Sequence, residues 1–513
     1  MAQPIQTFAI TAPGFYGLNT QDSSLDLASG FALVANNCVI DQYGRVGARQ
    51  GWTPAHSTLG ALGTADVKTI AELIDKDGTS YTLCAGNNKL FKLVGSTLTQ
   101  LTFNGVGTAP TITDSNWSTA YLDGDLYFYQ RGHNPLGFSP SDSTTTYYRV
   151  DQEAGYNGTV QLANVVLSAY GRLWNADTTT DKVTVQWSDT KNPQKFGSGT
   201  AGTLDTTSVW PHGGDTIVAL AAHNNFLFIF GRRNILIYQG ATSPASMTLY
   251  DVIEGIGCVA RDSVCNTGTD IIFLSDTGVR SVMRTVQEKS APLRDLSKNV
   301  RNDLLSAVAG EDLATIKAVY SPRNAFYLLT LPVLKTVYCF DMKAQLPDGA
   351  ARVTTWDSIE PKSFCQKVDG TLLIGKPGYV GTYSSYTDNG TSYRFQYFTN
   401  HTDLGAPSVT SILKKLLVVV IGGSNQYLTF KWGYDFRGNY QSQSVQIPSQ
   451  GVYYYGVAEY NTTAEYSNGV ALQTLTVYPN GSGKVIQTGY EADVSTALSI
   501  QKIEIHAKQG KVV

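Results

Sequence analysis

Catalysis and metal binding need polar side chains that converge, and the obvious candidates in this chain are scattered. Its six histidines (His56, His133, His212, His223, His401, His506) form no HxH or HExxH pattern. Its six cysteines (Cys38, Cys84, Cys258, Cys265, Cys339, Cys365) include no CxxC pair, which disfavours a metal site and reads most simply as buried free thiols. There is no GxSxG elbow, Walker loop or dinucleotide fingerprint. The stretch DKDGTS (75–80) opens like a calcium loop but lacks the later ligands at their spacing, so it reads as a turn. Asp123 and Asp369 are carboxylates of the kind a glycoside hydrolase pairs, yet each precedes a glycine where a hairpin would turn. The residues therefore assign no catalytic group, no cofactor and no metal. One cluster does stand out: Arg280, Arg284, Lys289, Arg294, Lys298 and Arg301, opposed only by Glu288 and Asp295. Its chemistry would suit a phosphate backbone or an acidic partner; the simpler alternative is a solvated helix face.

The elements that would carry these residues are short strands. Charged residues make up 15% of the 513, hydrophobics 42%, with 30 tyrosines and 49 glycines. That mixture suits many strands joined by tight turns. A formal charge of −3 provides no electrostatic drive toward nucleic acid or an anionic membrane. The start, MAQPIQTFAITAPGF, lacks the basic and apolar regions of a signal peptide, and LLVVVI (416–421) is too short to cross a bilayer. A soluble protein made in a reducing cytosol is expected.

Self-similarity organises the middle of the chain. Seven segments share a strand, a tight turn, a second strand, a break and a third strand. Their second strands begin at Ser80, Asp125, Arg172, Phe226, Ile271, Ala325 and Thr371, spaced 45, 47, 54, 45, 54 and 46 residues apart. A period near 45 is that of a four-stranded propeller blade. The preceding pairs include Asp77-Gly78, Asp123-Gly124, Asn224-Asn225 and Asp369-Gly370, which tolerate the positive φ of two-residue hairpins. SDTG (275–278) lacks the trailing aromatic of the aspartate boxes of sialidase propellers and does not recur, so it too reads as a turn.

The expected fold is therefore all-β: a β-propeller of about seven blades, six being possible, with a C-terminal β-domain and one helical insertion. Residues 1–56 form an N-terminal segment whose hairpin, FALVANNCVI (31–40) with RVGARQGW (45–52), closes the ring by completing the sheet near Thr371. Blades occupy 57–390. A helix is expected near 291–310, with Leu293, Leu296, Val300 and Leu304 on one face and Gly310 as its stop. The C-terminal domain spans 391–513, with Leu428, Phe430, Trp432 and Tyr434 on one strand face. A hairpin there turns about Pro479-Asn480-Gly481, and LSIQKIEIHA (498–507) forms a last strand.

Three stretches carry a resemblance. GLNTQDSSLDLASGFALVANNCVIDQYGRVGARQGW (17–52), with Asn37, Gly44, Arg45, Arg49 and Gly51, resembles the N-terminal signature of the tail nozzle proteins of short-tailed bacteriophages, also called tail tubular protein B or tail hub. GIGCVARDSVCNTGTDIIFLSDTGVRSV (255–282) and YFTNHTDLGAPSVTSILKKL (397–416) are similar to two further segments of that family, in the same order. The resemblance implies a non-enzymatic virion structural protein of the phage tail, made in the host bacterial cytoplasm. It would be a homo-oligomer, a hexamer in such phages, docked on the head-to-tail adaptor protein below the portal. A tail fibre or spike protein would attach nearby, and double-stranded DNA would pass transiently through the lumen during ejection, with no membrane span. A low-charge chain suits a conduit, since lumenal arginines would hold phosphates. The basic cluster at 280–301 would then face a neighbouring subunit or the adaptor. Arg45, Arg49 and Trp52 are expected to anchor the ring closure by ion pairing and stacking. Phe395, Tyr397 and Asp403 are expected to fix the second domain against the ring. The alternatives are a receptor- or glycan-binding propeller of a fibre or spike, and a glycoside-processing propeller.

Overall fold

A computed structural model describes residues 5–282, 295–405, 408–449 and 472–512. The chain folds as a β-propeller joined to a β-sandwich. The first sheet shows the plan of the ring: Val67–Ile74, Ser80–Gly86, Lys89–Val94 and Thr97–Gln100 run antiparallel in sequence order. The same order recurs in sheets beginning at Ser118, Val165 and Ile217, and in a three-stranded one beginning at Cys265. Turn chemistry sets the hairpins. Asp123-Gly124, Tyr170-Gly171 and Asn224-Asn225 all have positive φ at both positions, the geometry whose twist matches two paired strands. Alternate residues along each strand face opposite sides, so both faces of a sheet pack on neighbouring sheets and the strands read as nearly continuous apolar runs. Phe226–Gly231 is an instance, with Leu227, Ile229 and Phe228, Phe230 buried in two different clusters.

Among the described residues six sheets stand alone as blades. The strands Lys317–Ser321, Phe326–Leu331, Thr336–Gln345 and Ala351–Trp356 repeat the plan but continue into the second domain as part of a ten-stranded sheet. This shared sheet explains why the repeat left six and seven both open. It is a blade on its inner side and a sandwich layer on its outer side.

The ring closes a few residues later than expected. The last sheet (Ser363–Gln366, Leu372–Lys376, Tyr379–Tyr383) takes its fourth strand from Trp52–Pro54, with Trp52 opposite Tyr383. The rest of the expected hairpin lies elsewhere. Asn37 has φ 54°, which breaks the run and redirects the chain between layers. Before it, Phe31–Asn36 pairs with Tyr393–Thr399; after it, Cys38–Ile40 pairs with Val46–Ala48.

The sandwich consequently draws on both chain ends. One layer runs Leu472–Val477, Val409–Gly422, Leu498–Val512, Val46–Ala48, Cys38–Ile40, with Ile5–Thr11 also paired along Leu498–Val512. The other layer continues the shared sheet through Gly17–Leu18, Phe31–Asn36, Tyr393–Thr399, Ile486–Val494, Tyr427–Tyr434 and Gln441–Gln446. Residues 5–48 thus belong with the domain expected at 391–513. The expected hairpin about Pro479-Asn480-Gly481 is a crossover, because Leu472–Val477 and Ile486–Val494 lie in different layers. Leu428, Phe430, Trp432, Tyr490, Ile503 and Ile505 fill the space between layers.

The described helix is Arg301–Ala309, preceded by a 3-10 turn at Lys298–Val300. Leu296, Val300, Leu304 and Val308 bury one face into the same core, and the Gly310 N–H bonds back to the Ala307 carbonyl. Leu293 lies outside the described residues. Among the described residues no helix is long and apolar enough to cross a membrane.

Candidate functional site

The axis of a propeller is where inner strands from every sector meet, so side chains far apart in sequence come together there. Residues from inner strands around the ring, from Lys68 in the first sheet to Phe364 in the last, line one axial cavity of about 300 Å³. A second hollow of about 330 Å³ lies at the entry ends of the inner strands, and Arg261 borders both.

Arg261 and Asp262 lie in the 3-10 turn Arg261–Ser263, just before the inner strand Cys265–Asn266 of the fifth sector. The Arg261 guanidinium grips Asp262 through Nε (2.8 Å) and Nη2 (2.7 Å). It also reaches across the axis, donating through Nη1 to the Asn164 carbonyl (2.9 Å) and Oδ1 (2.8 Å), and through Nη2 to Asn116 Oδ1 (3.2 Å). Asn164 and Asn116 stand just before the inner strands of the third and second sectors. From the sixth sector, Lys317 Nζ donates to Asp262 Oδ2 and to Asn116 Oδ1, both at 2.5 Å. Asn116 Nδ2 is held by the Ala314 carbonyl at 2.7 Å. Farther out, Asp177 takes Arg131, Lys182 (2.9 Å) and Asn164 Nδ2 (2.8 Å).

The electrostatics follow from this crowding. Burial alone would raise the Asp262 carboxyl, but Arg261 and Lys317 more than offset it and hold it well below the usual carboxylate range. Burial draws the Lys317 ammonium below its ordinary value, against the pull of Asp262. The site is thus a polar brace joining four sectors across the axis. The major groove of duplex DNA alone is about 12 Å wide, so the axis of a single propeller, bridged by direct hydrogen bonds, offers no passage to DNA.

The residues singled out in the sequence fall into different places. Arg49 is fully buried and spends every donor: Nε on Asn37 Oδ1 (2.9 Å), Nη1 on the Gln50 carbonyl (2.9 Å), and Nη2 on Ser358 Oγ (2.9 Å) and the Asp357 carbonyl (3.2 Å). Both terminal nitrogens also hold the Asp388 carboxylate, at 2.9 and 2.7 Å. Its guanidinium lies 3.9 Å from the Tyr393 ring centre. It therefore ties the N-terminal segment to the exits of the last two propeller sheets and to the sandwich. Trp52 is buried in the closing strand, 5.3 Å from Lys376 Nζ across its ring. Arg45 stacks over Tyr43 at 4.4 Å and bonds Gln501.

Of the basic cluster, Arg284, Lys289 and Arg294 lie outside the described residues. The remaining members are ion-paired. Arg280 (4% exposed side chain) and Arg301 both face Asp295, and Lys298 meets Asp348 at 2.6 Å. Burial pushes Asp295 up despite the two guanidinium groups, so desolvation dominates there. Neither a solvated face nor an open basic patch describes Arg280. Phe395 and Tyr397 are fully buried in the strand Tyr393–Thr399, and Tyr397 donates to the Gly30 carbonyl (3.2 Å). Asp403 caps a loop through the Gly405 N–H at 2.8 Å.

All six cysteines are free, and burial raises Cys84, Cys339 and Cys365 to about 12. Among the described residues no three His, Cys, Asp or Glu side chains converge as a metal site. The sequence reading missed Asn116, Asn164, Arg261, Asp262 and Lys317. One hint was present: the adjacent charges Arg261-Asp262 interrupt the otherwise small and apolar run GIGCVA.

No family model and no curated protein matches the chain. Among solved structures it is similar to the extracellular domain of a putative one-component system from B. thetaiotaomicron, at 10% identity over 68% of this chain and TM-score 0.42; the chain spans 45% of that protein. It is similar to the Neurospora crassa Pan2 WD40 domain at 10% identity over 65% of this chain and 96% of the domain, TM-score 0.38. PorZ, a surface component of the type-IX secretion system of Porphyromonas gingivalis, is 12% identical over 88% of this chain and 60% of its own, TM-score 0.31.

Proposed function

We propose that the protein is a non-catalytic structural subunit of the tail nozzle of a short-tailed bacteriophage. On this reading several copies, six by the family resemblance, surround a lumen formed between subunits. The assembly docks on the head-to-tail adaptor and carries fibres or spikes nearby. The observation that supports it concerns the three stretches that carry the resemblance, at 17–52, 255–282 and 397–416. They contribute to one core: Ala32, Val46 and Ala48 from the first, Val259, Ile272 and Val279 from the second, Tyr397, Leu413 and Leu416 from the third. That core locks the ring to the sandwich, which suits a subunit that transmits load by shape. The closed propeller axis leaves only an inter-subunit lumen for DNA.

The experiment is cryo-electron microscopy of virions carrying the chain, with light scattering of the purified protein before and after addition of its adaptor ring. Six copies below the adaptor are expected. Absence from the tail, or a trimer at the tip of a fibre, would reject the nozzle.

One feature favours a second reading, a glycan-binding propeller protein of a fibre or spike. A hollow of about 380 Å³ on the sandwich is lined by Arg394, Asn425, Gln426, Tyr427, Glu491 and Asp493. Tyr427 is 57% exposed there. A tyrosine face beside amides and charges is the chemistry that holds a sugar ring. Binding of host surface polysaccharide that Tyr427→Ala abolishes would support this reading; equal binding by both proteins would remove it.

A further inference from the structure

The axial brace contains an arrangement that a simple ion pair does not require. Lys317 Nζ touches both a side-chain amide, at Asn116 Oδ1, and a carboxylate, at Asp262 Oδ2. The amide is oriented from its other end, because Nδ2 donates to the Ala314 carbonyl. Its oxygen also receives Arg261 Nη2 at 3.2 Å. Lys317 is 8% exposed and Trp117, next to Asn116, is 2% exposed, while Asn116 and Asp262 are half-buried on the walls of the two cavities. An amine, an amide carbon held within its reach, a carboxylate to move protons and a cation on the carbonyl oxygen are the components of transamidation.

We propose that Lys317 and Asn116 join in an intramolecular isopeptide bond, with Asp262 moving the protons and Arg261 holding the developing oxyanion. Asp262 takes a proton from the Lys317 ammonium, and the freed amine adds to Cγ of Asn116. The tetrahedral oxygen at Oδ1 is held by Arg261. The Cγ–Nδ2 bond then breaks as Nδ2 takes up the proton from Asp262 and leaves as ammonia. Asp262 next takes the second proton from the attacking nitrogen, which becomes the neutral isopeptide N–H, and passes it to the ammonia, which departs as ammonium. One N–C bond forms, one breaks, and neither water nor an oxidant is consumed. Arg261 acts in two directions: it stabilises the oxyanion and weakens Asp262 as a base. Formation is therefore slow and follows folding, since only the closed ring brings the three sectors together. The bond ties the second and sixth sectors across 201 residues of chain.

The test is mass spectrometry of the full-length protein, freshly purified and after prolonged incubation. The expected result is a loss of about 17 Da per chain for the released ammonia, together with a branched tryptic peptide containing both Asn116 and Lys317. Asn-Gly steps such as Asn104-Gly105 shed the same mass by imide closure, so the branched peptide decides. Lys317→Arg, which keeps the charge, and Asp262→Asn should each lack it. If a variant fails to fold, the wild-type peptide map still decides. Recovery of Lys317 only in a linear peptide, cleaved by trypsin after that residue in aged protein, would overturn the proposal.

Discussion

At the scale of single residues, two buried cations carry consequences that can be measured. Arg49 has no exposed surface and holds Asp388 with two bonds, so its removal leaves that carboxylate without its cation, held by Ser358 Oγ, and takes a donor from the Gln50 and Asp357 carbonyls. Breaking such a pair costs about 3–5 kcal/mol. Arg49→Ala should lose about that much in urea unfolding, and Arg49→Lys most of it, because an ammonium cannot reproduce the planar fork. A loss below about 1 kcal/mol would show that the hub is dispensable. Lys376 behaves differently. Burial lowers it to about 8, with Glu360 and Asp388 pulling the other way. Its folded value lies below its unfolded one, so the unfolded chain binds more protons between pH 8 and about 10.5. The cost of burying the charge is present below that window and is relieved as pH rises through it. The stability of the wild type minus that of Lys376→Met should therefore rise by about 3 kcal/mol across the window. Taking the difference removes the opposing titration of the buried tyrosines and thiols. A flat difference would mean that Lys376 is solvated.

At the scale of elements, the closing strand is the decisive piece. Trp52–Pro54 supplies the outer strand of the last propeller sheet, and that sheet and the first are separated by most of the chain. Gly51 and Gly381 allow the approach: a Cβ at Gly51 would sit 2.0 Å from the Thr387 oxygen, and one at Gly381 would meet the Trp52 ring at 2.7 Å. Trp52→Ala should cost about 3–5 kcal/mol. Hydrogen-exchange protection should vanish first in Tyr379–Tyr383 and Leu372–Lys376, which border the opened seam. Loss beginning in the third or fourth sheet instead would place the weak point elsewhere.

At the scale of the whole molecule, the ring and the sandwich are not separable units. One cluster joins Val259, Leu274 and Val279 of the fifth propeller sheet to Ala35 and Tyr397 of the sandwich, and the ten-stranded sheet crosses the junction. A fragment of residues 50–390 keeps every propeller strand, including the closing one, yet would expose that shared apolar face. It should aggregate or unfold far below the full chain, as read by size-exclusion chromatography and thermal melting. A monomeric fragment with the full chain's melting temperature would show that the propeller is autonomous. The proposed nozzle belongs to this scale as well, because its lumen lies between copies.

The sequence by itself determined the features that a few neighbouring residues control. Asp123-Gly124 and Asn224-Asn225 turn because their backbones accept positive φ, and the spacing of strands set the blade plan. Second strands were expected at Ser80, Asp125, Arg172, Phe226 and Ile271, where they begin. Alternation placed Leu428, Phe430 and Trp432 on a buried face. Only the tertiary structure decided which strand pairs with which. A backbone edge offers the same N–H and C=O groups to any partner, so residues 5–48 joined the sandwich while three residues closed the ring. The axial brace was hidden for the same reason. Asn116, Asp262 and Lys317 belong to different sectors, and no local pattern records that circular closure sets Lys317 Nζ 2.5 Å from both Asn116 Oδ1 and Asp262 Oδ2.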